Sequence, residues 1–192
     1  MKITCLFCIP LGLMIVSSVW AEDLPVVNRL FSDHIVLQRD MPVPVWGTAK
    51  PGTKITVKFG QQEKTTETGK DGKWLVRLDA LKASAEPAEL TVKSVTGDKP
   101  VTIADVLVGD VWLCSGQSNM EWVMKQFKTE EDVAKAEYPA IRHSCGGNGW
   151  TVCSPKTAGD FTATGFLLCP PDPSGNTRSD RPAEQRYWRI TH

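Results

Sequence analysis

A series of short, strand-like segments separated by turn residues occupies most of the first half of the chain. The clearest is Thr53–Phe59, in which Ile55, Val57 and Phe59 alternate with polar residues, as in a strand with one buried face. Strands of this length and spacing are typical of a β-sandwich. We therefore predict a β-sandwich domain, jelly-roll or immunoglobulin-like, over residues 22–108. The other predicted strands are 34–38, 43–47, 74–78, 88–95 and 100–108, with a hairpin-type turn at Lys70-Asp71-Gly72.

The pattern changes at Asp110. Val111–Cys114 is a continuous apolar run, as in a strand of a parallel sheet that is buried on both faces. A polar turn follows at 115–119, and residues 121–127 have a helical pattern. A further helix is predicted from an N-cap at Thr129 to about Tyr138, because Pro139 follows. A strand, a tight turn and a helix begin an α/β domain, which we predict over residues 109–168.

The turn after this strand contains two serines, Ser115 and Ser118. A serine between a buried strand and a helix lies near free backbone N–H groups, which can stabilise a developing oxyanion. Gly116 allows the backbone to turn sharply without a clash from a Cβ atom. The residues alone leave two alternatives for Ser118, a nucleophile or a helix-capping serine, and Ser115 is a competing candidate for the nucleophile.

The charge balance excludes the simplest kind of nucleic-acid-binding protein. The 192 residues include 22 Lys and Arg against 22 Asp and Glu, so no basic excess is available to neutralise phosphates. The content of 41% hydrophobic and 23% charged residues is typical of a globular chain rather than a disordered one. We expect no nucleic-acid partner.

Residues 1–21 have the layout of a secretory signal peptide. Lys2 precedes an apolar run, and Val19-Trp20-Ala21 fits a cleavage site. The run is short for a membrane span, and an uncleaved anchor is the alternative. We predict cleavage after Ala21, export to the periplasm or the cell exterior, and no membrane span in the mature chain.

Export changes how the six cysteines are interpreted, because Cys5 and Cys8 lie within the predicted signal peptide. The other four allow up to two disulfides with three connectivities. A zinc site is the weaker alternative, because none of the four forms a C-x-x-C pair. Cys114 lies in the apolar run and is predicted to be a buried free thiol. The four are Cys114, Cys145, Cys153 and Cys169.

Several segments together resemble the sialate O-acetylesterase family. The most specific is Leu107–Trp122, with the sequence LVGDVWLCSGQSNMEW. Upstream, Leu30–Arg39 (LFSDHIVLQR) and Pro42–Gly47 (PVPVWG) are similar to the N-terminal β region of that family. Downstream, Trp150–Pro155 (WTVCSP) and the GDFTA sequence at 159–163 also match it. The resemblance extends roughly from Leu30 to Leu168.

The resemblance implies a secreted or lysosomal carbohydrate esterase with an SGNH-type, flavodoxin-like hydrolase domain. Ser118 would then attack the acetyl ester of an acetylated sialic acid or another O-acetylated carbohydrate, forming an acyl-serine intermediate. A histidine would take the serine proton and an aspartate would orient that histidine. The Ser118 backbone N–H, with a later Gly and Asn, would hold the oxyanion. No metal and no organic cofactor are implied.

The chain departs from the family pattern in its last part. The Asp-x-x-His motif that supplies the other triad residues does not occur in the 192 residues, and we expect none of His34, His143 and His192 to be the base. Residues 169–192 are rich in proline and arginine, so we predict a disordered tail or the product of a frameshift or truncated gene model beginning near Cys169.

These observations predict an esterase that is incomplete and inactive as this chain. The alternative is a non-catalytic secreted β-sandwich that acts as a spacer or binds carbohydrate. Trp46 or Trp74 could line such a carbohydrate surface, and each fits a core or edge position equally well. A redox or metal protein built on the four cysteines is a third alternative.

Overall fold

The computed structural model of the protein describes residues 26–95 and 99–168 and the backbone of residues 186–190. The predicted signal peptide at 1–21, Cys169 and His192 lie outside these residues. The strands are β1 (Val26–Val27), β2 (Val36–Gln38), β3 (Val43–Thr48), β4 (Lys54–Phe59), β5 (Gln62–Glu67), β6 (Lys73–Leu78), β7 (Ser84–Ser94), β8 (Val101–Cys114), β9 (Tyr138–Cys145), β10 (Thr151–Cys153) and β11 (Arg186–Ile190). The helices are α1 (Glu130–Ala134) and α2 (Ala163–Leu168), with 3-10 turns at Ser118–Met120, Met124–Gln126 and Ala158–Asp160.

The described strands form two sheets. The smaller has the order β1-β3-β6 and is antiparallel throughout. The larger has the order β10-β9-β11-β8-β7-β4-β5, and β2 also pairs with β8. Its β7-β4-β5 side is antiparallel, whereas β11 runs parallel to both β8 and β9.

Side chains from both sheets form one hydrophobic core. Ile55, Val57 and Phe59 are buried in it, so the predicted inward face of Thr53–Phe59 is confirmed. Each segment predicted as a strand between 34 and 108 contains one. The sequence analysis missed β5, because QEKTTE has no apolar face and the strand is held at the sheet edge through its pairing with β4.

The predicted strand at Val111–Cys114 is present, but it differs from the prediction in two respects. These residues are the end of the 14-residue strand β8, which begins at Val101 and passes through the predicted domain boundary at 108. The strand is also not buried on both faces there, since Trp112 is 49% and Leu113 65% exposed while Cys114 is 6% exposed. An apolar run alone therefore did not reveal burial. The predicted buried free thiol at Cys114 is confirmed.

The predicted helices are shorter than expected. Residues 121–127 contain only the 3-10 turn at Met124–Gln126, and α1 ends at Ala134 because the extended strand β9 begins at Tyr138 and includes Pro139. The predicted N-cap is confirmed, since Asp132 donates its backbone N–H to Thr129 Oγ1 over 3.1 Å. Among the described residues, no helix is long and apolar enough to cross a membrane.

Within the segment 169–192, predicted as a disordered or frameshifted tail, the backbone of residues 186–190 forms β11 between β8 and β9. These five residues include Tyr187, Trp188 and Ile190, which are residue types favoured in strands. The proline-rich composition of the whole segment concealed this short stretch. The rest of the predicted tail lies outside the described residues.

Candidate active site

Ser118 lies on the surface directly after β8. It begins the 3-10 turn Ser118–Met120, in which its carbonyl oxygen accepts a hydrogen bond from Glu121 N–H at 3.1 Å. Both Ser118 and its competitor Ser115 are exposed. Within the described residues, no side chain is hydrogen-bonded to the Oγ atom of Ser118. Ser118 lies in a turn directly after a strand, as predicted, but this turn leads into 3-10 turns rather than the predicted helix at 121–127.

Gly116 contributes room rather than unusual backbone geometry to this turn. Its φ angle lies outside the left-handed region, but a Cβ atom at this position would lie 3.0 Å from Met120 Cγ. A larger residue would therefore require the Met120 side chain to shift slightly next to the turn that carries Ser118.

Gln38 and Arg39, at and just after the end of β2, are hydrogen-bonded to the second half of β8. The Arg39 guanidinium donates to both carboxylate oxygens of Asp110, through Nε at 2.8 Å and Nη2 at 3.4 Å. Beside it, Gln38 Oε1 accepts the backbone N–H of Val111 at 2.8 Å. Two of the segments that carry the family resemblance are thus joined by side-chain hydrogen bonds, seven to eight positions before Ser118.

The downstream segment packs against the residues that follow Ser118. Met124 N–H donates to the carbonyl of Phe161 at 2.9 Å, and Ala163 N–H donates to the carbonyl of Trp122 at 2.8 Å. Met124 and Phe161 also belong to a second hydrophobic core, which includes Cys114. The structure therefore brings the three resembling regions of the sequence together around the turn.

A histidine–carboxylate pair that the sequence analysis missed lies at Asp105. His34 Nδ1 is 2.6 Å from Asp105 Oδ2, and Arg142 donates to both carboxylate oxygens at 2.6 and 3.1 Å. His34 and Asp105 both have left-handed backbones, with φ of 69° and 53°. These residues are 71 positions apart in sequence, so no local spacing could have indicated the pair.

This pair is not a partner of Ser118 in the structure. Asp105 lies in the first half of β8 and Ser118 follows the far end of the strand at Cys114, so the strand separates them. Burial by itself raises the pKa of the Asp105 carboxyl, but the hydrogen bonds from Arg142 and His34 outweigh it and the pKa lies below its ordinary value. The arrangement is that of an ion pair connecting β8 to β9.

His143 is also not placed as a base for Ser118. It lies in the second half of β9, is 8% exposed, and its ring centroid is 4.7 Å from that of Phe161. Burial lowers its pKa to about 4, so the imidazole is neutral at pH 7. Its Nε2 atom has no hydrogen-bond partner among the described residues.

The described cysteines form none of the disulfides that the sequence allowed. Cys114, Cys145 and Cys153 are free. Cys114 and Cys145 both align with Ile190, on opposite sides of β11, so two strand spacings of about 4.8 Å each separate them, too far for a disulfide. Burial raises the pKa of Cys153 to about 12, which makes it a poor metal ligand. No group of three His, Cys, Asp or Glu side chains fit to hold a metal occurs within the described residues.

The chain is similar in sequence and in fold to known carbohydrate esterases. Human sialate O-acetylesterase is 32% identical to this chain over 147 residues, and the mouse protein is 33% identical over 121 residues. A solved carbohydrate acetylesterase from Xanthomonas citri matches 88% of this chain with a TM-score of 0.76 and 32% identity. The predicted resemblance to the sialate O-acetylesterase family is confirmed. No protein-family model matches the chain.

The similarity to sialate O-acetylesterases covers only part of those proteins. The matched region is 69% of this chain but 28% of the human relative, and it is 40% of the Xanthomonas citri chain. The chain therefore corresponds to less than half the length of the relatives it matches. The role of Ser118 stays a prediction, because neither the fold nor these similarities tests it.

Proposed function

We propose that this chain carries the nucleophile-bearing part of an exported carbohydrate O-acetylesterase, with Ser118 as the nucleophile. The observation that supports it best is the exposed turn at Ser118, in a chain whose fold matches that of a carbohydrate acetylesterase. Ser118 attacks the carbonyl carbon of the acetyl ester, the sugar hydroxyl leaves, and water releases acetate from the acyl-serine. The substrates are acetylated sialic acid or other O-acetylated sugars.

The domain arrangement that goes with this proposal is a β-sandwich over residues 22–108 and the beginning of an SGNH-type α/β domain over residues 109–168. The core shared by the two sheets supports the first part. The parallel pairing of β11 with β8 and β9 supports the second, since parallel strands are usual in α/β domains. The signal-peptide layout of residues 1–21 supports export.

We further propose that the 192-residue chain alone has negligible esterase turnover. A general base must be within hydrogen-bond reach of the serine proton. His34 is bonded to Asp105, and His143 is buried beside Phe161 with a lowered pKa. Neither supplies that base.

A chimera tests the role of Ser118. Residues 22–168 of this chain would replace the matching part of the Xanthomonas citri acetylesterase, and acetate release from an acetylated sugar would be measured. We expect activity that falls about a thousandfold or more in Ser118→Ala and changes little in the matched control Ser115→Ala. Equal activity of the two variants would show that Ser118 is not the nucleophile.

A further inference from the structure

An open groove of about 800 Å³ lies along the three-stranded sheet, away from Ser118. Its lining comes from β1, β3, β6 and the residues next to them, and among the described residues it includes none after Leu75. The volume is within the usual range of small-molecule sites, roughly 300 to 1,000 Å³. The groove is therefore a candidate ligand site that the proposed esterase reaction does not use.

Two side chains give the groove an apolar floor. Trp46 of β3 and Leu75 of β6 are directly opposite each other in the strand register and lie on the face away from the core, because their neighbours Val45 and Val76 are buried. Leu75 is 44% exposed and Trp46 is half-buried. The Trp46 ring is held by an edge-on contact with Phe31, at a centroid distance of 4.8 Å. The floor thus has a fixed aromatic ring.

Trp74 lies on the opposite face of the sheet and fills the space under Gly47. A Cβ atom at Gly47 would lie 2.7 Å from Trp74 Cζ2, so only glycine fits beside this ring. Trp74 is 2% exposed, which confirms the core alternative for this residue rather than a surface role. Trp46 is the tryptophan that a ligand would contact.

Polar side chains along the groove have unused hydrogen-bonding capacity. Asn28 Oδ1 accepts the N–H of Leu30 at 3.0 Å, which leaves its amide NH₂ group free to donate. Arg29 and Lys73 line the groove and form no ion pair within the described residues. Asp71 uses Oδ1 to accept the N–H of Lys73, and its second oxygen stays available as an acceptor.

We propose that this groove is a saccharide-binding site. A pyranose ring has an apolar C–H face that packs on an aromatic ring, and its hydroxyls donate to carboxylates and accept from amide and ammonium groups. Trp46 and Leu75 provide the apolar surface, and Asn28, Asp71 and Lys73 provide the polar partners. The proposal is independent of the proposed function, since it involves neither Ser118 nor its turn.

Titration of the ¹⁵N-labelled full chain tests the site. The indole N–H signals would be followed while sialyllactose, an acidic sugar, or xylotetraose, a neutral one, is added at millimolar concentration. We expect a saturable shift of the Trp46 signal with at least one of them, and binding at least about tenfold weaker in Trp46→Ala. The matched control Trp122→Ala removes another exposed tryptophan and should bind normally.

Two further variants separate binding in the groove from a general loss of folded protein. Leu75→Ser removes a groove residue without touching the contact of Trp46 with Phe31, and it should weaken binding while Val95→Ser, an exposed residue outside the groove, should not. Ser118→Ala should bind sugar like the parent chain, so failure of the esterase proposal and failure of this one can be told apart. No saturable shift with either sugar, or equal losses in groove and control variants, would overturn the proposal.

Discussion

The Asp105 carboxylate links β8 to β9. It accepts from Arg142, whose side chain is 5% exposed, and it contacts His34. A buried guanidinium without a counterion is costly, because its desolvation is no longer compensated. The left-handed backbone at Asp105 is one that Asn also tolerates, so replacing Asp by Asn changes the charge and little else.

We predict that Asp105→Asn lowers the free energy of unfolding by about 2 kcal/mol at pH 7, because the Arg142 charge loses its partner. Urea denaturation measures this. The matched control is Asp79→Asn, which removes an exposed ion pair with Lys64 and should cost less than about 1 kcal/mol. Since the pKa of Asp105 is lowered on folding, its contribution is complete above its unfolded value of about 4 and is lost as pH falls below that value. Equal effects of the two variants would contradict the prediction.

His143 should lower the stability of the protein in acid at a higher pH than Asp105 does. Its pKa is about 4 in the folded protein against 6.5 normally, so the unfolded chain binds a proton that the folded chain excludes. Above pH 6.5 the free energy of unfolding is not reduced by His143. As pH falls toward 4, this free energy decreases by up to about 3 kcal/mol, because the unfolded chain takes up the proton.

We predict that His143→Phe flattens the decline in stability between pH 6.5 and 4, because phenylalanine keeps the ring contact with Phe161 and cannot be protonated. Thermal unfolding followed across this pH range measures the effect. His34→Asn serves as the control, since it removes a half-buried histidine and should keep the decline that His143 causes. An unchanged pH profile in His143→Phe would show that the buried imidazole is not the cause.

Among the elements, the short edge strand β1 packs closely against Gly47 of β3. Gly47 lies opposite Val27, and a Cβ atom there would be 2.0 Å from the carbonyl oxygen of Val26. A side chain at this position must therefore displace β1 or the Trp74 ring beneath it.

We predict that Gly47→Ala lowers the free energy of unfolding by about 2 to 3 kcal/mol, because the added methyl group overpacks a closed contact. Gly60→Ala is a suitable comparison, since Gly60 has a φ of 57° but nothing lies within 4 Å of the added methyl group. That change should cost about 1 kcal/mol from backbone strain alone. Urea denaturation of both proteins decides the point, and a cost at Gly47 no larger than at Gly60 would refute the packing argument.

The sequence predicted elements well where the local pattern determined the structure. Thr53–Phe59 alternates in hydropathy, and it forms the strand β4 with one buried face. Thr129 has Asp132 three residues later, and the two form the cap of α1. Strand β5 and the exposure of Leu113 depend on which neighbours cover each face, and a local pattern contains no such information. At the candidate site, the turn at Ser118 was predictable, whereas the pair of His34 with Asp105 depends on contacts between distant residues.

In the whole molecule, two hydrophobic cores of unequal size are joined by few side chains. In the described residues, 21 buried residues form the larger core and nine form the smaller one, which includes Met124 and Phe161. Trp150 directly precedes β10, whose Cys153 belongs to the smaller core, while Trp150 itself lies in the larger core and its Nε1 donates to the carbonyl of Leu30 at 3.0 Å. Arg142 makes a second connection through Asp105.

This asymmetry predicts that the smaller core opens first. We expect amide hydrogens of β4 and β7 to exchange with solvent only on global unfolding, while those of β9 and β10 and of Met124 exchange at least about tenfold faster. Because Trp150 and Asp105 are the connections, Asp105→Asn should accelerate exchange in β9 more than in β4. Gly60→Ala, which is far from the smaller core, should change both regions by the same factor. Uniform exchange across the two cores in the parent chain would mean that they unfold as a single cooperative unit.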